Sequence, residues 1–272
     1  MGPSDILLTD RVAIVTGGGQ GIGEGIALGF ARFGAHVVIA DKNAETGERT
    51  AAAVRALGRR GLAITTDVRE FDQVNALVDR TMEEFGRLDI LVNNAGGVRY
   101  ARFLDLGQRG WHRHMQLNFD GLFGPTDAAV RAMLKGGRGG AVLNVASIEA
   151  LRAAPMFSVY AACKAGMVNF TRSLALELAD HAIRVNAIAP DIVETPHLAE
   201  YEGSATGGSA EARARGVPLR RAGSVEDCAN ACIFLASDMA SYITGVTLSV
   251  DGGTWASSGW TRNPDGSWGL FH

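Results

Sequence analysis

Tyr160 and Lys164 stand four positions apart in the segment YAACK, and Ser147 ends an apolar run thirteen residues before the tyrosine. Residues at i and i+4 share one face of a helix. An ammonium group beside a phenol favours the phenolate, so such a tyrosine could exchange a proton closer to neutral pH than its usual pKa of about 10 allows. Ser147 could hold the oxygen atom that receives or loses this proton. The three residues indicate acid–base chemistry on a hydroxyl or carbonyl group, although Tyr-x-x-x-Lys is also common on ordinary helix faces.

The elements that must position these residues alternate along the chain. Short apolar runs rich in β-branched residues predict strands at 11–16, 36–41, 62–68, 88–93, 141–146, 184–189 and 246–250. Segments with helical length and spacing lie between them, for instance 45–57, 71–85 and 157–178. This alternation predicts an α/β fold, doubly wound, with a parallel sheet and helices on both faces. At 272 residues, with 47% hydrophobic residues, the chain can form one such domain with a large core.

A glycine-rich segment, TGGGQGIG at 16–23, follows the first predicted strand and opens a helix. In this context, glycines let backbone amides approach a pyrophosphate at the helix N-terminus, although a tight turn without a ligand would look the same. Asp41 closes the second strand, where a carboxylate can bind both ribose hydroxyls of an adenosine and repel a 2′-phosphate. This favours NAD over NADP. Gln20 agrees, since an arginine there could pair with that phosphate, whereas the nearby Lys42 weakens the argument.

Composition excludes several classes of function. A net charge of -3 with interspersed charges provides no cationic field for nucleic acid. The three cysteines, Cys163, Cys228 and Cys232, form neither a disulfide framework nor a metal pattern and are expected in the core. His112 and His114 lack a third metal ligand nearby, so no metal is expected. No signal peptide or run of about 18 apolar residues is present, which predicts a cytoplasmic protein that does not span a membrane.

The stretch 191–221 breaks the alternation with the flexible segment GSATGGS at 203–209. It follows the carboxyl end of a strand, where folds of this class bind ligands, so we interpret it as a mobile substrate loop, with a plain surface loop as the alternative. Met156 and Phe157, just before Tyr160, and Leu198 within the loop are candidate substrate contacts. They suggest a lipophilic substrate. Arg152 is a further candidate, with a solvated arginine as the alternative.

The complete set of motifs resembles the classical short-chain dehydrogenase/reductase (SDR) family over residues from about 9 to 253. It comprises the glycine-rich segment 16–23, Asp41, NNAG at 93–96, Asn118, Ser147, Tyr160, Lys164 and DGG at 251–253. The resemblance implies a Rossmann fold with a seven-stranded parallel sheet and reversible hydride transfer between a nicotinamide and a secondary alcohol or ketone. It divides the chain into a domain at 1–253 and a tail at 254–272.

The resemblance also implies catalytic roles. Tyr160 is the expected acid/base, Ser147 orients the substrate oxygen, and Lys164 lowers the pKa of Tyr160 and holds the nicotinamide ribose. Asn118 supports a water molecule that relays protons to solvent. From its own sequence context, Asn118 could equally satisfy buried backbone groups in a helix.

The expected cofactor contacts follow from the same resemblance. They are Gly17, Gly19, Gln20, Gly21, Ile22, Gly23, Asp41, Asp67, Val68, Asn94, Ala95, Gly96, Tyr160, Lys164, Pro190, Val193 and Thr195. In this set, Asp67 and Val68 would contact the adenine, residues 94–96 would form the wall beside the adenosine ribose, and Thr195 would meet the carboxamide.

Asp191 departs from the family pattern, because most relatives have glycine after the proline at position 190. We hypothesise that Asp191 adds negative charge near the nicotinamide and favours its cationic, oxidised form. The alternative is a tolerated loop residue that points to water.

The tail 254–272 is a second departure, since it extends beyond the usual end of the family. It contains Trp255, Trp260, Trp268 and Phe271. An unstructured tail rarely concentrates so much apolar surface. We predict that it docks on a protein surface, either a subunit interface or a neighbouring active-site mouth.

The sequence therefore predicts an NAD-dependent oxidoreductase for a lipophilic secondary alcohol or its ketone, such as an alicyclic or steroid-like alcohol. A 3-oxoacyl thioester (acyl-carrier-protein) reductase is the enzymatic alternative, although such reductases generally favour NADP and Asp41 argues against it. A non-catalytic nucleotide-binding protein is a third possibility, which the intact Ser147, Tyr160 and Lys164 set argues against. By resemblance, a homo-oligomer is expected, with a tetramer favoured over a dimer.

Overall fold

Apolar, β-branched runs form the strands of one sheet. The computed structural model describes residues 2–196, 209, 215–263 and 265–270. The strands of the sheet are β1 (Val12–Thr16), β2 (His36–Asp41), β3 (Gly61–Thr65), β4 (Ile90–Asn93), β5 (Gly140–Val145), β6 (Ile183–Pro190) and β7 (Thr247–Val250). The helices are α1 (Gly21–Arg32), α2 (Ala44–Ala56), α3 (Phe71–Phe85), α4 (Phe103–Met115), α5 (Gly121–Gly136), α6 (Ser158–Glu177), α7 (Val225–Ala236) and the short α8 (Thr254–Ser257).

The sheet has the order β3-β2-β1-β4-β5-β6-β7, and every neighbouring pair of strands is parallel. The predicted α/β fold, doubly wound around a seven-stranded parallel sheet, is confirmed. One strand end is wrong, because β3 ends at Thr65 instead of residue 68. Beyond Thr65 the Asp67 carboxylate accepts a hydrogen bond from the Arg69 N–H (3.0 Å), which turns the chain away from the sheet.

Two apolar clusters cover the two faces of the sheet. Alternation along β1 sends Ala13 and Val15 to the cluster formed with α1, α2 and α7, and Ile14 to the cluster formed with α3, α5 and α6. Phe30 of α1 and Leu77 of α3 are fully buried in these clusters. Full burial of one such side chain contributes about 1.5–3 kcal/mol, so the two layers hold the strand ends in fixed positions.

A buried polar network fixes α6, the helix that carries Tyr160 and Lys164. Asn93 at the end of β4 donates to the Asn144 side-chain oxygen on β5 (2.9 Å), and Asn144 donates to the Thr171 hydroxyl on α6 (2.9 Å). All three residues are buried. Since an unpaired buried amide would be costly, the network favours one register of α6 against the sheet.

The carboxyl ends of β1, β4, β5 and β6 open onto one edge of the sheet. The strand order reverses between β1 and β4, which creates a crevice at the position where such sheets bind ligands. Beyond β7, α8 is followed by a small antiparallel pair, β8 (Thr261–Arg262) with β9 (Trp268–Gly269). Among the described residues, none of the helices has both the length and the apolar character needed to span a bilayer.

Candidate active site

A cavity of ≈ 390 Å³ occupies the crevice at the strand ends. The predicted site residues that line it are Gly17, Gln20, Gly21, Ile22, Asp41, Asp67, Val68, Asn94, Ala95, Gly96, Asn118, Ser147, Tyr160, Lys164, Pro190 and Thr195. The cavity also has lining residues outside the predicted set of catalytic, cofactor and substrate contacts, among them Lys42, Val145 and Asp191. Residues from 17 to 195 along the chain thus meet in one elongated site.

The glycine turn between β1 and α1 brings backbone amides to this cavity. Gly17 has a φ of +62°, and a Cβ atom there would approach the Ala95 backbone to 3.0 Å. A Cβ atom on Gly23 would lie 2.2 Å from the Gly17 carbonyl oxygen. Only glycine permits this packing, which places the N-terminus of the twelve-residue helix α1 at the crevice.

Three predicted cofactor residues support the cavity from behind instead of lining it. Gly19 donates its N–H to Asp41 (2.9 Å), and Gly23 packs against Gly17. Val193 is buried and forms an isolated parallel bridge with Gly223. Each of the three therefore has a packing role in the structure, and its direct contact with a cofactor stays a prediction.

Asp41 lies at the end of β2 with its carboxylate oriented by backbone donors. One oxygen accepts the Gly19 N–H (2.9 Å) and the other accepts the Asn43 N–H (2.9 Å). Each carboxylate oxygen retains a further lone pair for a ligand hydroxyl. The nearby Arg49 donates to the Gly19 carbonyl (2.8 Å) and pairs with Glu24. Sequence reasoning missed Arg49, because its link to the glycine turn spans 30 residues.

Asn94 fastens the β4 end of the crevice to the glycine turn. Its side-chain N–H₂ donates to the carbonyls of Thr16 (3.0 Å) and Gly17 (3.1 Å). The backbone N–H groups of Asn94 and Ala95 donate to the Thr16 hydroxyl at 3.0 and 3.1 Å. The wall predicted beside the adenosine ribose is thus rigidly joined to the turn predicted to hold the pyrophosphate.

Asp67 and Val68, just beyond the end of β3, also line the cavity. Arg69 pairs with the Asp67 carboxylate through its Nε (2.9 Å) and its Nη2. This side-chain hydrogen bond lowers the pKa of Asp67, so the carboxylate stays charged at neutral pH.

Ser147, Tyr160 and Lys164 come together at the β5 and β6 end of the cavity. The Ser147 hydroxyl accepts the Glu149 N–H (3.2 Å) and lies close enough to the Tyr160 phenol to lower its pKa. Lys164 is buried, and its Nζ donates to the Val145 carbonyl (2.7 Å) and lies 5.8 Å from the centre of the Tyr160 ring. The predicted i, i+4 placement on a helix is confirmed by α6.

For the protein groups alone, burial is the largest influence on the pKa of Tyr160, and the expected lowering of that pKa by Lys164 stays a prediction. Burial raises the pKa of Tyr160 to about 12, although the hydrogen bond from Ser147 acts in the opposite direction. Burial also lowers the pKa of Lys164 to about 8. Burial disfavours both charged forms, and the Lys164 ammonium donates to the Val145 carbonyl.

Asn118 lies in a π-helical turn, Gln116–Asp120, between α4 and α5. Its side-chain oxygen accepts the Gly97 N–H (3.0 Å), and its N–H₂ donates to the carbonyls of Gly97 (2.8 Å) and His114 (3.1 Å). The side chain therefore satisfies buried backbone groups, which was the alternative interpretation. Asn118 nevertheless lines the same cavity as Lys164, so a part in proton relay stays a prediction.

The predicted substrate residues flank Tyr160 on an aromatic wall. The Phe157 ring meets the Tyr160 ring at a centroid distance of 6.4 Å and the Tyr100 ring edge-on at 5.2 Å. Met156 adopts a φ of +72°, and its carbonyl accepts the Ala101 N–H (3.1 Å). Tyr100 was missed, since only the fold brings it to Phe157.

The rest of the predicted substrate surface is only partly described. Leu198 and most of the segment 197–214 lie outside the described residues, so the substrate loop at 191–221 stays a prediction. Thr195 lies at the start of that loop, and a Cβ atom on Gly21 would lie 3.5 Å from its methyl group.

Asp191 does not point to water. It lines the cavity, and its carboxylate pairs with Arg152 (3.3 Å) and accepts a hydrogen bond from the Thr254 hydroxyl (2.5 Å). The alternative of a solvated loop residue is wrong, because the ion pair and the hydrogen bond hold Asp191 inward.

Comparison with known proteins agrees with this geometry. A family model described as enoyl-(acyl carrier protein) reductase matches residues 17–254. A 3-oxoacyl-[acyl-carrier-protein] reductase from Chlamydia trachomatis is 40% identical over 91% of this chain and 98% of its own.

Solved structures match over similar lengths. The carveol dehydrogenase of Mycobacterium avium, in complex with NAD, is 30% identical with a TM-score of 0.86 over 92% of this chain and 99% of its own. A protein described as a 2-deoxy-D-gluconate 3-dehydrogenase from Agrobacterium tumefaciens, with bound NADP, is 35% identical with a TM-score of 0.83 over 93% of this chain and 99% of its own. Similar folds thus hold either nicotinamide cofactor.

Proposed function

Because the chain belongs to the short-chain dehydrogenase/reductase family and is an oxidoreductase of CH–OH groups, we propose that it is NAD-dependent and acts on a lipophilic secondary alcohol or its ketone. The observation that carries this proposal is the meeting of Ser147, Tyr160 and Lys164 in the cavity that also contains the glycine turn and Asp41. The candidate acid–base residues and the candidate nucleotide-binding residues therefore line the same cavity.

The described residues fit a nicotinamide dinucleotide. The N-terminus of α1 offers backbone N–H groups for a pyrophosphate, Asp41 offers acceptors for ribose hydroxyls, and Lys164 offers donors at the other end. Bound there, the dinucleotide would supply the hydride chemistry. The side chains around the dinucleotide would bind the substrate and transfer the proton.

Tyr160 handles the proton in this proposal. With its pKa raised to about 12 by burial, the phenol is protonated at neutral pH and can donate to a ketone oxygen. Ser147 lines the same cavity and lies close enough to the phenol to affect its pKa, so both hydroxyls could bind the same substrate oxygen. In the oxidation direction, a nearby positive charge must first favour the phenolate.

Asp41 supports NAD over NADP. A 2′-phosphate would face a carboxylate that two backbone N–H groups hold in place, which costs free energy through charge repulsion and desolvation. Lys42 and Arg49 lie close enough to moderate this effect.

The aromatic wall of Tyr100 and Phe157 supports a lipophilic carbon skeleton beside Tyr160. The second candidate, a 3-oxoacyl thioester reductase, is favoured by the 40% identity to the chlamydial enzyme. Cofactor preference separates the two, since Asp41 opposes the NADP on which such reductases generally depend.

The assembly and compartment are part of the proposal. A homotetramer is favoured over a dimer, and α4 supports an interface because it exposes Phe103 and Leu104. A cytoplasmic location agrees with three buried, free cysteines.

A panel of alcohols, ketones and acyl thioesters, assayed by absorbance of the reduced nicotinamide with NAD and NADP in parallel, tests the proposal. We expect turnover of ring alcohols with NAD, and Tyr160→Phe should reduce kcat by about 100-fold or more while NAD still binds. Reaction only with NADP and acyl thioesters would establish the second candidate. Full activity of Tyr160→Phe would remove the acid–base role.

A further inference from the structure

Three charged side chains form a cluster at the edge of the candidate active site, here called the Arg152 cluster: Glu149, Arg152 and Asp191. Arg152 Nη2 donates to Glu149 (2.8 Å) and to both oxygens of Asp191 (3.3 and 3.4 Å). The side chains of Arg152, Glu149 and Asp191 are 33%, 20% and 10% exposed. The cluster is therefore partly desolvated, and its two carboxylates hold the Arg152 guanidinium between them.

The cluster lies beside the reacting groups. Asp191 lines the same cavity as Ser147 and Tyr160, and the Glu149 N–H donates to the Ser147 hydroxyl (3.2 Å). After burial and the Ser147 hydrogen bond, the negative charge of Glu149 is the next influence on the pKa of Tyr160, which it raises. A substrate held by Ser147 and Tyr160 would therefore lie near Asp191, the member of the cluster that lines the cavity.

The start of the C-terminal tail positions Asp191. The Thr254 hydroxyl donates to Asp191 (2.5 Å), and the Asp251 carboxylate accepts the N–H groups of Gly253 (3.0 Å) and Trp255 (2.7 Å). Thr254 is thereby held at the first turn of α8, where its hydroxyl faces the cluster. A residue at the border of the predicted tail acts on the site through Asp191.

The donors and charges of the cluster define what it can recognise. Among the described residues, Arg152 makes its hydrogen bonds through Nη2. The N–H groups on Nε and Nη1 can therefore donate to a ligand. Two carboxylates and one guanidinium leave one net negative charge, which disfavours an anionic ligand. A hydroxyl group suits the cluster, because it can accept from the guanidinium and donate to a carboxylate.

We propose that Arg152 is a specificity-determining residue that binds a second, uncharged hydroxyl group of the substrate, and that Asp191 and Thr254 position it. This inference rests on the proposed function, since it assigns the substrate class of the same site. The preferred substrate is then a ring alcohol that carries a further hydroxyl close to the reacting carbon.

Three compounds on one ring test the proposal: cyclohexanol, trans-1,2-cyclohexanediol and trans-2-hydroxycyclohexanecarboxylate. With NAD, we expect kcat/KM for the diol to exceed that for cyclohexanol by about tenfold or more, as for one hydrogen bond to a charged group. The carboxylate compound should be the poorest of the three. Arg152→Met should bring the diol-to-cyclohexanol ratio close to one.

Thr254→Val and Thr254→Ser form a matched pair for the positioning role. The valine removes the hydroxyl without changing the size of the side chain much, so the diol-to-cyclohexanol ratio should fall by about threefold or more. The serine keeps the hydroxyl and should restore the ratio. A merely structural role would lower both rates together and leave their ratio unchanged.

Calorimetric titration of each compound into the protein saturated with NAD gives a readout that needs no turnover. If the diol binds in a way that depends on Arg152 but is not turned over, the inference is supported and the proposed function is refuted. Turnover of ring alcohols with an unchanged ratio in Arg152→Met, or a preference for the carboxylate compound, would overturn the inference and leave the proposed function intact. Circular dichroism melting of each variant identifies loss of folding, in which case Arg152→Lys replaces Arg152→Met with the same expected fall in the ratio.

Discussion

Replacement of Asp41 by asparagine is the sharpest test of cofactor choice. Alanine would also release the Gly19 N–H that Asp41 accepts at 2.9 Å and loosen the glycine turn, so it would mix two effects. Asparagine keeps an oxygen acceptor and nearly the same shape while it removes the negative charge. The Asp41→Asn variant therefore isolates the electrostatic part of the selectivity.

The size of the change follows from two contributions. Charge-assisted hydrogen bonds exceed neutral ones by about 1 kcal/mol each, which is about fivefold for one bond and about 30-fold for two, so the loss of charge should reduce kcat/KM with NAD by roughly tenfold. A unit charge about 4 Å from a phosphate costs at most about 4 kcal/mol near a protein surface, and salt reduces this value. Removal of that repulsion beside Lys42 should improve NADP by about tenfold or more. Selectivity for NAD over NADP should thus fall by about 100-fold.

Initial rates with both cofactors, measured at a fixed substrate concentration and at two salt concentrations, provide the assay. Asp67→Asn is the matched control, because Asp67 is the other carboxylate at this end of the cavity and pairs with Arg69. Its predicted partner, the adenine, is common to both cofactors, so any loss should be equal for the two. Unchanged selectivity in Asp41→Asn, or an equal change in Asp67→Asn, would refute the reasoning.

Three further predictions concern Lys164, Asp191 and the tail. The folded pKa of Lys164, lowered by burial to about 8, lies below that of the unfolded chain, so the unfolded state binds more protons above pH 8 and stability rises with pH. Urea unfolding at about pH 7 and about pH 9.5 should show a gain of roughly 2 kcal/mol for the wild type relative to Lys164→Met; an equal response of both proteins would contradict the burial argument. Asp191→Ala should increase the affinity for NADH relative to NAD by about threefold in fluorescence titration, whereas a constant ratio rejects the charge hypothesis. A chain that ends before Trp255 should change in oligomer mass by light scattering or in KM; if neither quantity moves, the tryptophans, which are 42–46% exposed, have no docking role.

The fold was predictable from local patterns because burial on both faces makes inner strands such as β1 and β2 nearly continuous apolar runs. The predicted helix at 71–85 coincides with α3, and the predicted helix at 157–178 contains α6. The end of β3 was not predictable, because Asp67 turns the chain through its contact with Arg69. The pattern of apolar residues does not depend on that contact.

The site was predictable where a role depends on residues close in sequence, as for Tyr160 and Lys164 on one face of α6. It was not predictable where a partner is remote. Asp191 pairs with Arg152 across 39 positions and with Thr254 across 63, so no local pattern could decide between the charge hypothesis and a side chain that points to water. The direction of the Lys164 ammonium likewise depends on Val145, which reaches it only through the packing of β5 against α6.

Burial moves the pKa values of Tyr160 and Lys164 in opposite directions, to about 12 and about 8. Both shifts favour the neutral forms, so the protein groups alone keep the phenol protonated and bring the ammonium close to the pH at which it loses its proton. Ketone reduction needs a phenol that donates, and this state provides it without further adjustment. Alcohol oxidation needs the phenolate, which a buried site permits only when a positive charge lies nearby. Under the proposed function, the same burial makes proton transfer at Tyr160 depend on the charge of the group that occupies the cavity, so the site could serve both directions without a change in its own side chains.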